Sequence, residues 1–124
     1  MSLEEKISAA VNTYINAFSD GDLEAIMGIY ADDCTVEDPV GSDPHVGIEA
    51  VRAFYQGAVG MNVKLQLQSE IRIAGNEAAF AFTGELDTPD GKMTFRPIDV
   101  MKFNDDGKVV SMRAFWGPAN QGMQ

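Results

Sequence analysis

The sequence has a single cysteine, Cys34, so neither an internal disulfide nor a cysteine-rich metal site can form within the chain. Cys34 follows Asp32 and Asp33, with no His or Lys close in sequence to lower its pKa. It reads as a buried structural thiol and not as a nucleophile. Histidine is equally scarce: His45 is the one present, and it sits in a Pro/Gly loop where a surface position is expected. No Ser-His-Asp set, glycine-rich phosphate loop or Walker motif occurs. The acids Asp32, Asp33, Glu37, Asp38 and Asp43 near His45 match neither an EF-hand loop nor a zinc motif, so they are expected to be solvated, with no metal and no cofactor. Basic residues are few: 9 Lys and Arg stand against 19 Asp and Glu, for a net charge of -10. Such a surface repels phosphate backbones and anionic lipid, which argues against nucleic-acid or membrane partners. No apolar run approaches the ~20 residues of a membrane-spanning helix. The opening residues, Met1 to Lys6, lack the basic-then-apolar layout of a leader, so a cytoplasmic protein is expected.

What is present suits one folded domain over residues 1–124. Hydrophobic content is 45% and charged content 23%, near the globular norm, and the length suits a single core. Ser2 with Glu5 makes a capping box. Leu3, Ile7, Val11, Tyr14, Ile15 and Phe18 then recur at helical spacing, giving a first helix to about Ser19. Asp22 can cap a second helix whose inner face carries Leu23, Ile26, Met27 and Tyr30, stopped by Asp32-Asp33. A short extended piece, Cys34 to Glu37, enters the turn-rich loop from Asp38 to His45. Gly47 opens a third helix with Ile48, Val51, Phe54, Tyr55 and Ala58 on one side. From Met61 the period changes to two, and hairpin turns follow at Gly75-Asn76, Pro89-Asp90-Gly91 and Asn104 to Gly107. Helices followed by a meander of antiparallel strands give an α+β pattern. A strongly twisted sheet curling around three helices would enclose a cone-shaped cavity.

One strand carries an anomaly. In Thr94 to Phe103 one face reads Phe95, Pro97, Asp99, Met101, Phe103 and the other Arg96, Ile98, Val100, Lys102, because strand side chains alternate. An acid among two Phe and a Met is costly unless it is paired or keeps its proton. The alternative is a register that turns this face to water. If the last hairpin closes about its four-residue turn, Phe103 lies near Lys108, Asp99 opposite Met112 and Phe95 opposite Trp116. That adds apolar neighbours, Met112, Ala114 and Trp116, and no cation, since Arg96 and Arg113 have the other parity. The buried reading is then favoured, with Asp99 a neutral hydrogen-bond donor.

Tyr14, Tyr30 and Tyr55 each fall on an inner helical face, either as amphipathic core or as a shared hydrogen-bond network. Asp38 precedes Pro39 at the cavity mouth. An Asx-turn residue is the favoured reading of such an Asp-Pro pair, and a general base is the functional alternative.

The residues in these places resemble the bacterial Δ5-3-ketosteroid isomerases, within the NTF2-like (SnoaL-like) superfamily. The likeness rests on Tyr14-Ile15 with Gly21-Asp22-Leu23, on Tyr30 through Gly41, on Phe54-Tyr55, and on Pro97 through Phe103 with Gly107 to Trp116. It covers nearly the whole chain. It implies a curved antiparallel sheet wrapped on three helices, a homodimer, and a hydrophobic steroid substrate. It further implies Asp38 as general base, Tyr14 and protonated Asp99 as an oxyanion hole, and Tyr55 with Tyr30 behind Tyr14. A carboxylic acid kept neutral to donate a hydrogen bond is a known property of ketosteroid isomerase itself; the apolar face and the missing cation come from this sequence. Phe54, Phe82, Met101, Met112 and Trp116 are the expected substrate-binding residues, with Phe80 and Phe103 as further candidates. Two positions depart from the family pattern: Gly84, where a larger apolar residue is expected, and Leu86, in place of an aromatic. A wider or reshaped pocket follows. Competing readings are a non-catalytic binding module of the same fold, or another cyclase or hydrolase of the superfamily. Limonene-epoxide-hydrolase-like chemistry would need an Asp/Arg/Asp set, for which Arg96 and Arg113 have the wrong parity.

Overall fold

The structure is a computed structural model and describes residues 1–123. Helix α1 (Leu3–Asp20) starts at the expected capping box, with Glu5 N donating to Ser2 Oγ and Ser2 N to Glu5 Oε1. Its Ile7, Val11, Tyr14, Ile15 and Phe18 are buried. Helix α2 (Leu23–Met27) is capped by the Asp22 side chain, which accepts from Ala25 N. It ends at Gly28, one turn earlier than the apolar spacing implies. Tyr30 is therefore not helical: it is the first residue of strand β1 (Tyr30–Glu37). Strand β2 (His45–Val46) pairs with β1, and helix α3 (Ile48–Val59) follows Gly47.

The remaining chain forms β3 (Lys64–Leu67), β4 (Arg72–Ala74), β5 (Glu77–Thr88), β6 (Gly91–Phe95), β7 (Ile98–Phe103), β8 (Val109–Phe115) and β9 (Gln121–Met123). The sheet order is β2-β1-β8-β7-β5-β6-β9, with β3 and β4 both pairing to the long β5. β5 pairs with β4 and β7 at its start and with β3 and β6 at its end. Such a split lets the sheet curl around the helices. The architecture is α+β, as expected, but the sheet is mixed and not wholly antiparallel, because β1 and β8 run parallel.

The strand expected from Thr94 to Phe103 is two strands, broken at Arg96-Pro97, since proline removes a ladder donor. Within the β7–β8 hairpin Asp99 pairs with Ala114, and Met101 with Met112. The expected partner of Asp99 was Met112, two residues away. The difference has two sources. Asn104 N donates to Lys108 O, which takes Lys108 into the turn. A bulge at Lys102/Phe103 adds one residue more. A two-residue slip preserves side-chain parity, so Asp99 still faces inward, with Met101, Phe103, Met112 and Ala114.

Candidate active site

Asp99 is 1% exposed, and neither of its carboxyl oxygens has a hydrogen-bond partner among the described residues. Arg113, the nearest cation in its hairpin, points outward and bonds Glu37 (Nε–Oε1 3.0 Å). Arg96, also exposed, donates to Ala119 O. Burial pushes the Asp99 carboxyl well above the usual range, and the charge of Asp38 adds to the effect. A neutral carboxylic acid can donate one hydrogen bond, and Asp99 lines the main cavity of the molecule.

The three tyrosines form a chain. Tyr55 Oη donates to Tyr14 Oη at 3.3 Å, and Tyr55 Oη lies 2.5 Å from Tyr30 Oη. A hydroxyl has one proton. Tyr55 gives its own to Tyr14, so the bond to Tyr30 is donated by Tyr30. The proton of Tyr14 is left free to point into the cavity, which Tyr14 lines. All three phenols are raised well above their ordinary pKa, chiefly by burial. They are neutral, and each added donor polarises the next. The network is the one the sequence suggested, but Tyr30 joins it from β1 and not from a helix.

Asp38 directly follows β1, which ends at Glu37, and precedes a cis peptide bond to Pro39. Its half-buried carboxylate accepts from Trp116 Nε1 at 2.7 Å. Its loop is tied to the last long strand, since Val40 N donates to Ala114 O at 2.8 Å. Burial raises the Asp38 pKa, while the Trp116 hydrogen bond and the charge of His45 pull it back. One cavity thus holds two carboxyls in different environments. One is enclosed, where burial favours the protonated form; the other is more accessible and ionises more easily.

The cavity has a volume of about 480 Å³. Of the residues expected to bind substrate, Phe54, Phe82 and Trp116 line it. Met101 and Met112 do not: both are fully enclosed behind the cavity wall as core, as are Phe80 and Phe103. Inward parity in a strand does not separate a cavity lining from packing beneath a helix, which explains the miss. Phe18, Met93, Phe95 and Gln121 line the cavity without having been singled out as site residues. His45 is not a free surface residue: its ring stacks on Phe54 at 4.6 Å between centroids. Cys34 is buried, and burial raises its thiol. No group of three or more potential metal ligands occurs among the described residues. No described helix is long and apolar enough to cross a membrane.

A curved sheet on three helices enclosing an apolar cavity, lined by Asp38 and by the buried Tyr14 and Asp99, defines a class. The chain belongs to the SnoaL-like domain family, whose model matches residues 11–112. Within that class it is 41% identical over 118 residues to the Steroid Delta-isomerase of Nocardioides simplex, covering 95% of both chains. It is also 29% identical to Epoxide hydrolase LasB of Streptomyces lasalocidi, over 92% of this chain and 48% of LasB. Among solved structures, the epoxide hydrolase/cyclase-like enzyme SalBIII, described in pyran ring formation in the polyether salinomycin, superposes with a TM-score of 0.91. It is 28% identical, with 100% of each chain covered.

Proposed function

We propose that this protein is a steroid Δ-isomerase that moves a 5,6 double bond into conjugation with a 3-ketone. The observation that carries the reading is the pair of carboxyls in one apolar cavity, Asp38 at its wall and Asp99 fully enclosed without a partner. The ketone oxygen sits against Tyr14 and Asp99. Asp38 takes a proton from C4, and the electron pair moves into a dienolate. Tyr14 and Asp99 each donate a hydrogen bond to the oxygen as charge builds on it, and neither has to surrender its proton. Asp38 then returns its proton at C6, leaving the conjugated enone and the enzyme unchanged. The similarity to the Nocardioides simplex isomerase supports this reading.

The same acid and base could open an epoxide, with Asp99 protonating the oxygen while Asp38 activates a hydroxyl. The likeness to SalBIII and LasB favours keeping that reading as the second. Incubation with 5-androstene-3,17-dione separates the two: the isomerase produces new enone ultraviolet absorbance. Asp38→Asn should lower turnover by ~10²–10⁴-fold, the usual contribution of a positioned base, while steroid binding persists. No absorbance change with folded wild-type protein would rule out the isomerase.

The outer face of the β7–β8 hairpin presents the cross-strand pair Ile98 and Phe115, 47% and 43% exposed. This supports a homodimer joined through that face, which sedimentation of the wild type against Phe115→Glu would test: the variant should run as a monomer.

A further inference from the structure

The cavity is polar where Tyr14, Asp38 and Asp99 meet, and Trp116 commits its indole N–H to Asp38. Among the described residues, the rest of the lining contains one polar side chain, Gln121. It belongs to β9 and pairs with Phe95 of β6, which on its other side pairs with Gly84 of β5. Directly opposed residues share a face of the sheet, so Gly84, Phe95 and Gln121 form a row across three strands on the cavity side. At Gly84 a Cβ would lie 2.2 to 2.7 Å from the outer atoms of the Phe95 ring. The ring therefore occupies the space that any larger residue at 84 would need. It leans toward β5, away from β9, and leaves the Gln121 side of the wall uncovered. The side-chain hydrogen bonds around Gln121, from Arg96 to Ala119 O and from Gly117 N to Asn120, do not engage its amide.

This row is remote from the acid. Asp99 pairs with Phe80 and Phe95 with Gly84, a separation of four residues along β5, or about 13 Å at ~3.3 Å per residue. Between them the inward positions are Phe82 and Pro97, both apolar and both lining the cavity. A cavity polar at both ends and apolar between is complementary to an elongated apolar skeleton that bears oxygen at both ends. An amide both donates and accepts, so Gln121 suits either a ketone or a hydroxyl.

We propose that Gly84, Phe95 and Gln121 form a distal specificity element, in which Phe95 parked over Gly84 exposes the Gln121 amide to a 17-oxygen of the steroid. The proposal rests on the isomerase reading and narrows it to steroids oxygenated on the far ring, as against those carrying a hydrocarbon chain there. The departure at Gly84 then reshapes the wall and does not merely widen it.

The test compares kcat/KM for 5-androstene-3,17-dione and for 5-androsten-3-one, which lacks the 17-oxygen. The ratio of the two on one preparation is independent of the fraction of protein that is active. One net hydrogen bond predicts a wild-type preference of about 5–10-fold for the 17-oxo steroid. Gln121→Leu should bring the ratio to about one. Gly84→Val should do so too, by driving the Phe95 ring toward Gln121, and adding Phe95→Leu to Gly84→Val should restore much of the preference. A wild-type ratio near one, or a Gln121→Leu ratio equal to wild type, overturns the proposal. Calorimetric binding of 4-androstene-3,17-dione and 4-androsten-3-one separates this from failure of the isomerase reading. Preferential binding of the 17-oxo compound without turnover upholds the distal element and removes the isomerase. Equal binding of the two removes the distal element.

Discussion

At the scale of the residue, the two carboxyls illustrate how environment divides one side-chain type into two roles. Asp99 has no cation, no donor and almost no solvent, so burial decides its state. Asp38 is less enclosed; burial still raises its pKa, but a tryptophan N–H and a nearby imidazole favour the anion and oppose that rise. The turnover of such a pair should be bell-shaped in pH, rising as Asp38 ionises and falling as Asp99 does. Trp116→Phe keeps the apolar wall and removes the hydrogen bond that lowers the Asp38 pKa. The rising limb of kcat/KM should then move to higher pH by about one unit, since hydrogen bonds to charged groups contribute ~1.5–3 kcal/mol and one pH unit corresponds to ~1.4. A limb that stays in place would show that Trp116 is wall and nothing more. The burial of Asp99 was legible in the sequence because its strand face is apolar and carries no cation of matching parity. The hydrogen bond from Trp116 to Asp38 was not, because 78 residues separate the partners and no local pattern links them.

At the scale of the element, features set by local signals were legible in the sequence, and positions set by neighbouring elements were not. The capping box of α1 and the Asp22 cap of α2 are short-range hydrogen bonds, and both are present. Tyr30 fitted the helical spacing of Leu23 by coincidence: α2 had already ended at Gly28. The side-chain parity of β7 was legible, but its register was not, because the turn and the bulge each add a residue without any distinctive composition. That turn depends on Gly107, which has φ +80° and whose added Cβ would lie 2.9 Å from Cβ of Lys6 on α1. Gly107→Ala therefore meets both a left-handed backbone and a helix. It should lower stability by about 1–3 kcal/mol, read as a lower midpoint in urea denaturation. Gly75→Ala, also at positive φ but with open space around it, should cost less, and the difference measures the contact with α1.

At the scale of the whole molecule, keeping Asp99 protonated links the site to global stability. In the unfolded chain Asp99 ionises near 3.9; in the fold it does so far higher. Between those values the folded protein holds the extra proton. The stability this contributes is complete below the unfolded value and is lost as pH rises toward the folded one. Asp99→Asn removes the titration. The stability of wild type relative to this variant should therefore fall from about pH 4 upward, by at most ~1.4 kcal/mol per pH unit. Denaturant midpoints of both proteins across pH 4–8 test this, and a constant difference would contradict a protonated Asp99.

The parallel pairing of β1 with β8 joins residues 30–37 to residues 109–113. The loop bearing Asp38 is held by Ala114 and Trp116, from the same late stretch of chain. These are contacts of high sequence separation, and closing so long a segment slows folding. During synthesis the helices and the early hairpins can form while the carboxylate at the cavity wall still lacks its anchors. The proposed base thus acquires its anchors only when the last long strand is in place. A ribosome-released fragment ending before β8 would be inert, however much of its core had condensed.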